Sequence, residues 1–258
     1  MIPPPARRES WYLDPLAARQ KANVHLELVR RWTAGVTVRN LLKTDLFEEA
    51  NNGDAILAEL DGGQVRAFGM DLNPATVIRA AQRYSSPSPP FLACDARQPA
   101  LRPASMDVIV STSTLDHMET AGDFHASLKA LAGLLRPDGV LIITMDNLEN
   151  PLYRPLRWAS RRGWLPFRMG YTVSLAGLQR ALEMCGFRVV ETERLLHNPR
   201  MVSTLLFLGL RRLLGRRADA PVAWLLRCFA QLGRTPLRRW TACFVAACAR
   251  VEGEAGPT

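Results

Sequence analysis

The spacing of apolar positions changes several times along this 258-residue chain. From Trp11 to Trp32 they recur at helical intervals (Leu16, Val24, Leu26, Leu28, Val29, Trp32), which predicts an amphipathic helix. Short β-rich runs follow at Val36–Leu42, Val65–Met70, Phe91–Ala93, Met106–Ser111 and Gly139–Thr144. Helical stretches near Asp54–Leu60, Pro74–Tyr84 and Asp123–Leu135 lie between them. Strands that alternate with helices argue for an α/β fold, a doubly wound parallel sheet with helices on both faces. The Pro-rich segment at 85–90 reads as a loop, and residues 1–10 as a disordered tail.

Beyond the fifth strand the pattern changes. Residues 147–170 are irregular, aromatic and basic. Thr172 or Ser174 then caps a helix that Gly186 stops, and Phe187–Leu195 reads as a strand. Residues 201–217 and 221–233 read as two helices that mix apolar residues with arginines. Trp240–Ala249 reads as a last buried strand, although its Ala and Cys content also permits a helix. The expected organisation is one domain over residues 11–250. Its core would be 36–146, its cap insertions 147–172 and 197–239, and its tail 251–258.

Charge is unevenly distributed. Residues 1–150 carry 15 basic and 18 acidic side chains, a balance of −3, whereas residues 151–258 carry 18 arginines, no lysine and six acids, a balance of +12. A GC-rich genome accounts for arginine over lysine but not for the segregation, which points to an anionic partner such as lipid headgroups, a phosphorylated substrate or nucleic acid. The apolar stretches of the two C-terminal helices fall far short of the ~20 residues that span a bilayer. They read as a lid over an acceptor site, as an in-plane pair at an anionic membrane surface, or as both. Because their arginines lie among apolar residues, no nucleic-acid partner is expected. The five cysteines are scattered and form no Cys-x-x-Cys pair, so neither a zinc site nor a disulfide framework is expected. The N-terminus lacks the apolar core of a signal peptide, and the expected location is cytoplasmic, at the inner face of the membrane.

Candidate chemistry sits at the predicted strand ends. The run VRAFGMDLNP places Asp71 where the second strand stops, positioned to accept hydrogen bonds from both hydroxyls of a ribose, or simply to cap the next helix. In FLACDAR, Asp95 ends the third strand and could accept from an adenine amino group. MDVIVSTSTLDHM then runs from a buried strand into a polar loop, and LLRPDGVLIITMDN gives a helix, a turn at Pro137-Asp138-Gly139 and another strand.

These motifs resemble the class I S-adenosylmethionine-dependent methyltransferase superfamily, in particular its small-molecule "type 11" branch. The resemblance spans residues 36–195 and the last strand. It implies a Rossmann-like doubly wound, seven-stranded, mostly parallel sheet with an N-terminal helix and a C-terminal helical cap. ALEMCGFRVVETE would supply the sixth strand and WTACFVAACAR an antiparallel seventh. Carried onto this chain, the resemblance implies S-adenosylmethionine as cofactor, with Asp71 on its ribose and Asp95 and Ala96 on its adenine side. Leu72 and Ser111 complete that set. The implied reaction is methyl transfer to a small-molecule or lipid-linked acceptor, at oxygen.

One stretch departs from the family. Its loop after strand one is glycine-rich, so that backbone can approach the cofactor. Here the sequence is NLLKTDLFEEANNGD: Lys43 stands where an acidic residue is usual, Asp45, Phe47 and Glu49 replace glycines, and only Gly53 remains. A longer loop re-entering at residues 51–54 would leave Asp45 to contact the amino group of the methionine moiety. The rival reading is a non-catalytic binding protein that kept the fold. A nicotinamide-dependent oxidoreductase is excluded, because no Gly-x-Gly-x-x-Gly follows strand one and no Tyr-x-x-x-Lys pair exists.

Methyl transfer depends mainly on in-line positioning, with a base needed only where the nucleophile must lose a proton. His117, after strand four, is the candidate base, and Tyr171 a second candidate catalytic residue. Asp116, Asn147 and His197 could line the acceptor pocket, whereas His25 and His125 sit on predicted helices as packing or surface residues. No His, Cys or Asp grouping has metal-ligand spacing.

Overall fold

The computed structural model describes residues 14–51, 55–84, 90–164 and 169–252. The expected N-terminal tail, most of the 85–90 loop and Gly53 lie outside the described residues.

Helix α1 (Pro15–Trp32) opens with an Asp14 cap, whose Oδ1 accepts from Leu16 N at 2.9 Å, and with proline in the first turn, where its missing N–H costs nothing. Then follow β1 (Asn40–Lys43), α2 (Phe47–Asn51), α3 (Leu57–Leu60), β2 (Arg66–Asp71), α4 (Pro74–Arg83), β3 (Phe91–Ala93) and β4 (Met106–Thr112). The second half contains α5 (Ala121–Leu134), β5 (Leu135–Asp146), α6 (Tyr153–Arg161), α7 (Leu175–Met184) and β6 (Phe187–Leu195). It closes with α8 (Arg200–Leu214), α9 (Asp219–Gln231), α10 (Arg238–Thr241) and β7 (Phe244–Val251).

The seven strands form one sheet in the order β3-β2-β1-β4-β5-β7-β6. Pairing is parallel from β3 to β5, and β7 lies antiparallel between β5 and β6. The order reverses between β1 and β4, which places the topological switch point there.

Both faces of the sheet are covered, and the central strands therefore read as continuous apolar runs. Along β4, Val108 and Val110 point into the layer built by Leu26, Val29 and Trp32 of α1, while Ile109 points into the layer of Phe124, Leu128 and Leu182. Val140 and Ile142 of β5 divide from Leu141 and Ile143 in the same way. His25 of α1 is buried beside Phe244, with ring centroids 6.2 Å apart, and burial followed by the nearby Lys21 lowers its pKa to about 3, which keeps it neutral. A third cluster joins Ala17 of α1 to Phe207, Ala218, Val222 and Leu226, so the cap packs on the N-terminal helix.

Several boundaries differ from the sequence reading. Residues 33–36 close α1 in a turn, with Val36 N on Thr33 O at 2.9 Å and Gly35 at φ +83°, so β1 starts at Asn40 rather than Val36. The expected turn at 137–139 is absorbed into β5 as an irregularity, with Asp138 at φ +65° where the register with β4 shifts between Met106 and Val108. Within the irregular stretch, residues 153–161 form α6. Trp240 belongs to the single turn α10, so the last strand starts at Phe244. Ser174, not Thr172, caps α7, accepting from Gly177 N at 3.1 Å.

Candidate active site

The carboxyl ends of β1, β2 and β4 meet at the switch point. Asp71 ends β2, half-buried, and backbone amides fix both of its oxygens: Leu46 N donates to Oδ2 at 3.1 Å and Asn73 N to Oδ1 at 2.7 Å. A carboxylate oxygen has two lone pairs, so each retains acceptor capacity for a diol. The aspartate does not cap α4, because Asn73 does so through Ala75 N at 3.0 Å. Leu72, next in sequence, is 69% exposed, so its side chain is accessible to a planar group lying against Asp71.

Asp95 lies after β3 but is engaged. Arg97 donates to both its oxygens at 2.6–3.1 Å and continues to Asp123 at 2.7 Å. The hydrogen bonds from Arg97 hold the Asp95 carboxyl below the usual range. An adenine amino group would therefore share Asp95 with Arg97. Ala96 is buried. Ser111 is also fully buried, its Oγ 3.0 Å from Thr44 Oγ1, so it braces the end of β1 rather than facing outward.

After β1 the chain enters the short helix α2, and the expected re-entry at 51–54 lies, beyond Asn51, outside the described residues. Lys43 is 1% exposed and ion-pairs with Glu49 at 2.8 Å and Glu48 at 3.3 Å, and Glu48 also pairs with Lys21 of α1 at 2.9 Å. Glu49 Oε1 accepts from Ile56 N and Leu57 N, each at 3.2 Å, at the start of α3. Burial works to lower the Lys43 pKa, but Glu49 and Glu48 outweigh it and hold the ammonium charged. Glu48 shows the converse: burial would raise its pKa, and Lys21 and Lys43 reverse that. Asp45 is half-buried, with Oδ1 accepting from Phe47 N at 2.8 Å, and burial followed by Glu48 raises its pKa. A cationic amino group beside Asp45 would favour its charged form.

Sequence reasoning placed Lys43 but missed Glu48, Glu49 and Lys21. The available signal was a lysine ending a buried strand, which requires carboxylates, with two following at positions +5 and +6.

On the acceptor side, Leu115–His117 forms one 3-10 turn after β4. Asp116 is buried: Oδ2 accepts from Asp146 N at 3.0 Å, while Oδ1 has no hydrogen-bond partner among the described residues. His117 is exposed, and Tyr171 is half-buried with its ring 5.6 Å from Phe124. Segment 169–173 closes over this end. Tyr171 N donates to Met118 O at 2.7 Å, and Thr172 Oγ1 to Asp146 O. Gly170 makes the approach possible, since a Cβ there would lie 2.5 Å from the carbonyl oxygens of Asp116 and Met118.

Asn147 is not an acceptor ligand in this geometry. Its amide is buried and donates to Arg239 O at 2.9 Å and Ala242 O at 3.0 Å, tying β5 to the cap. His197 lies apart from His117, at the end of β6. It lines a cavity of about 480 Å³ with Gln20, Val24, Thr192, Phe229 and Arg238. Its Nδ1 is 2.8 Å from Thr241 Oγ1, and burial lowers its pKa. Among the described residues no group of three His, Cys, Asp or Glu could hold a metal ion.

The nucleoside end of this site fits S-adenosylmethionine: an anchored carboxylate with free lone pairs stands beside an exposed leucine. Where the resemblance implies a glycine loop after β1, the chain has a helix held by buried ion pairs.

Comparisons with known proteins agree with this fold. Residues 52–143 match the family described as methyltransferase domain. None of the curated proteins matches the chain in sequence. Among solved structures, the N-methyltransferase NodS from Bradyrhizobium japonicum, in complex with S-adenosyl-L-homocysteine, is similar at TM-score 0.54 and 15% identity, covering 96% of this chain and 92% of its own. A Haemonchus contortus phosphoethanolamine N-methyltransferase 2 is similar at TM-score 0.59 and 17% identity, covering 93% and 58%. The [4+2]-cyclase SpnF is similar at TM-score 0.57 and 16% identity, covering 91% and 80%. At these identities the structural likeness establishes the fold, and one fold hosts more than one reaction.

If the Lys43 cluster holds this loop, Lys43→Met should lower the free energy of unfolding by about 3–5 kcal/mol, because Glu49 remains buried without its cation and Glu48 keeps only Lys21. Urea denaturation measures this, and a loss below about 1 kcal/mol would contradict it.

The chain therefore has the fold of these methyltransferase structures, and its residues 52–143 match the methyltransferase domain family.

Proposed function

We propose that the protein transfers a methyl group to the oxygen of a small-molecule or lipid-linked acceptor. The observation that carries this reading is Asp71 at the switch point, pre-oriented by two backbone amides and flanked by exposed Leu72. Bound there, S-adenosylmethionine supplies a methyl group already activated on a sulfonium. The protein's task is then to hold two partners in line and exclude water. Asp71 and Leu72 would fix the nucleoside, Asp95 its amino edge and Asp45 the amino-acid end.

The acceptor would approach from the ends of β4 and β5, beneath segment 169–173. His117 is the group there suited to take a hydroxyl proton, and Tyr171 would shape the opening. An amphiphilic acceptor is supported by the cavity at the end of β6, whose volume is within the range that holds small ligands. Its β6 wall offers Thr192, His197 and Asn198, and its helical wall offers Val24, Leu226 and Phe229.

A second reading places the methyl group on nitrogen. Asp116 favours it, since a buried carboxylate oxygen without a donor would be satisfied by a protonated amine. Two of the similar structures are N-methyltransferases by name. Transfer of isotope-labelled methyl to panels of alcohols and amines, read by mass spectrometry, separates the two readings. Methylated amines alone would overturn oxygen as the target.

Asp71→Ala should weaken S-adenosylhomocysteine binding at least tenfold in calorimetry, since charge-assisted hydrogen bonds contribute about 1.5–3 kcal/mol. Unchanged affinity would remove Asp71 from the site. If His117 is the base, His117→Ala should lower turnover about 10²–10⁴-fold and leave cofactor affinity intact. An equal loss of cofactor affinity or thermal stability would indicate a structural role.

A further inference from the structure

Helix α8 is apolar on two sides. One side is inside the protein: Phe207 is buried and Leu210 packs with it against Ala218, Val222 and Leu226. The other side faces outward. Val202, Leu205, Leu206 and Leu213 are 55%, 64%, 41% and 83% exposed. At helical periodicity these four fall within about 100° of arc, so they form one stripe rather than scattered positions.

Arginines flank the stripe. Arg212, Arg216 and Arg217 are exposed, and among the described residues no carboxylate pairs with them. Arg211 differs. It is locked to Asp14 at 2.7 Å and to Asp219, so it fastens α8 to α1 and α9 and is not available to a partner. From 200 to 218 the sequence contains no acidic residue. Trp224 on α9 and Trp240 on α10 are also more than half exposed.

From this arrangement we infer that the outward face of α8 docks on an anionic lipid bilayer. A leucine stripe bordered by cations matches the depth profile of a membrane interface, where apolar side chains enter the acyl boundary and guanidinium groups stay with the phosphates. The helix has 15 residues, and no helix among the described residues is long and apolar enough to cross a membrane, so α8 lies in the plane of the surface. Charge complementarity selects lipid as the occupant, because this face offers cations without the acids that a mixed-charge protein interface would use. The inference is independent of which acceptor is methylated.

The test is cosedimentation of the full chain with vesicles of phosphatidylcholine containing about one-third phosphatidylglycerol, compared with phosphatidylcholine alone. The charged vesicles should bind at least tenfold more protein, and high salt should release it. Replacing Arg212, Arg216 and Arg217 together with Gln should reduce partitioning on the order of 100-fold, at about tenfold or less per exposed charge. Leu205→Gln with Leu213→Gln should reduce it comparably, and because both side chains face outward the fold and cofactor affinity should persist. Binding that ignores lipid charge, or that survives both sets of substitutions, overturns the inference. So does a dimer in solution that the leucine substitutions dissociate, since the stripe would then seat a second copy.

Discussion

The buried ammonium of Lys43 sets the geometry of the region around it. A cation at the end of a central strand cannot stay charged in an apolar interior unless carboxylates meet it there. Glu48 and Glu49 do so from α2, the helix that follows the strand, and the ion pairs hold that helix against the end of β1. The consequences extend in three directions. Glu48 reaches Lys21 and draws α1 onto the sheet, and Glu49 caps the start of α3. Leu46, between strand and helix, is pressed against Gly69 and Phe91, where a Cβ at Gly69 would meet it at 2.5 Å. That placement brings Leu46 N to Asp71. A loop-building ion cluster and a ligand-facing carboxylate are thus mechanically connected.

At the other end of the molecule a similar device holds the cap. Asp14 serves twice, capping α1 through Leu16 N and receiving Arg211 from α8. The cap's inner apolar face and this ion pair fix α8 on α1, and its outer stripe is left to the surroundings. Asn147 supplies the second fastening, from the end of β5 to the backbone of α10 and the residue after it. The positive balance of the second half therefore divides into arginines that fasten elements together and arginines that face outward.

Most of the sheet was legible from the sequence because central parallel strands need apolar residues on both faces, and such runs stand out. Phe187–Leu195 matched residue for residue, and Asp71 was identifiable as a strand-end carboxylate. What the sequence concealed were pairings between distant positions. Nothing near Asp95 in composition distinguishes a free carboxylate from one held by Arg97, and Ser111, at the end of the expected fourth strand, reads as a cofactor-side hydroxyl until Thr44 is seen against it. Asn147 looked like a ligand because its partners lie more than 90 residues away. Short elements such as α2, α6 and α10 depend on tertiary contacts more than on periodicity, and so they were missed.

The central claim is that a helix braced by buried ion pairs can replace the glycine loop and still present Asp71 to a nucleoside. Amide NMR during titration with S-adenosylhomocysteine examines it at the residues concerned. The Leu46, Leu72 and Asn73 amides, which bracket the Asp71 carboxylate, should shift together and saturate with one affinity, while Ile56 and Leu57, held by Glu49, should stay in place. An absence of shifts at Leu46 and Asn73, or saturable shifts confined to residues away from the ends of β1 and β2, would contradict the account.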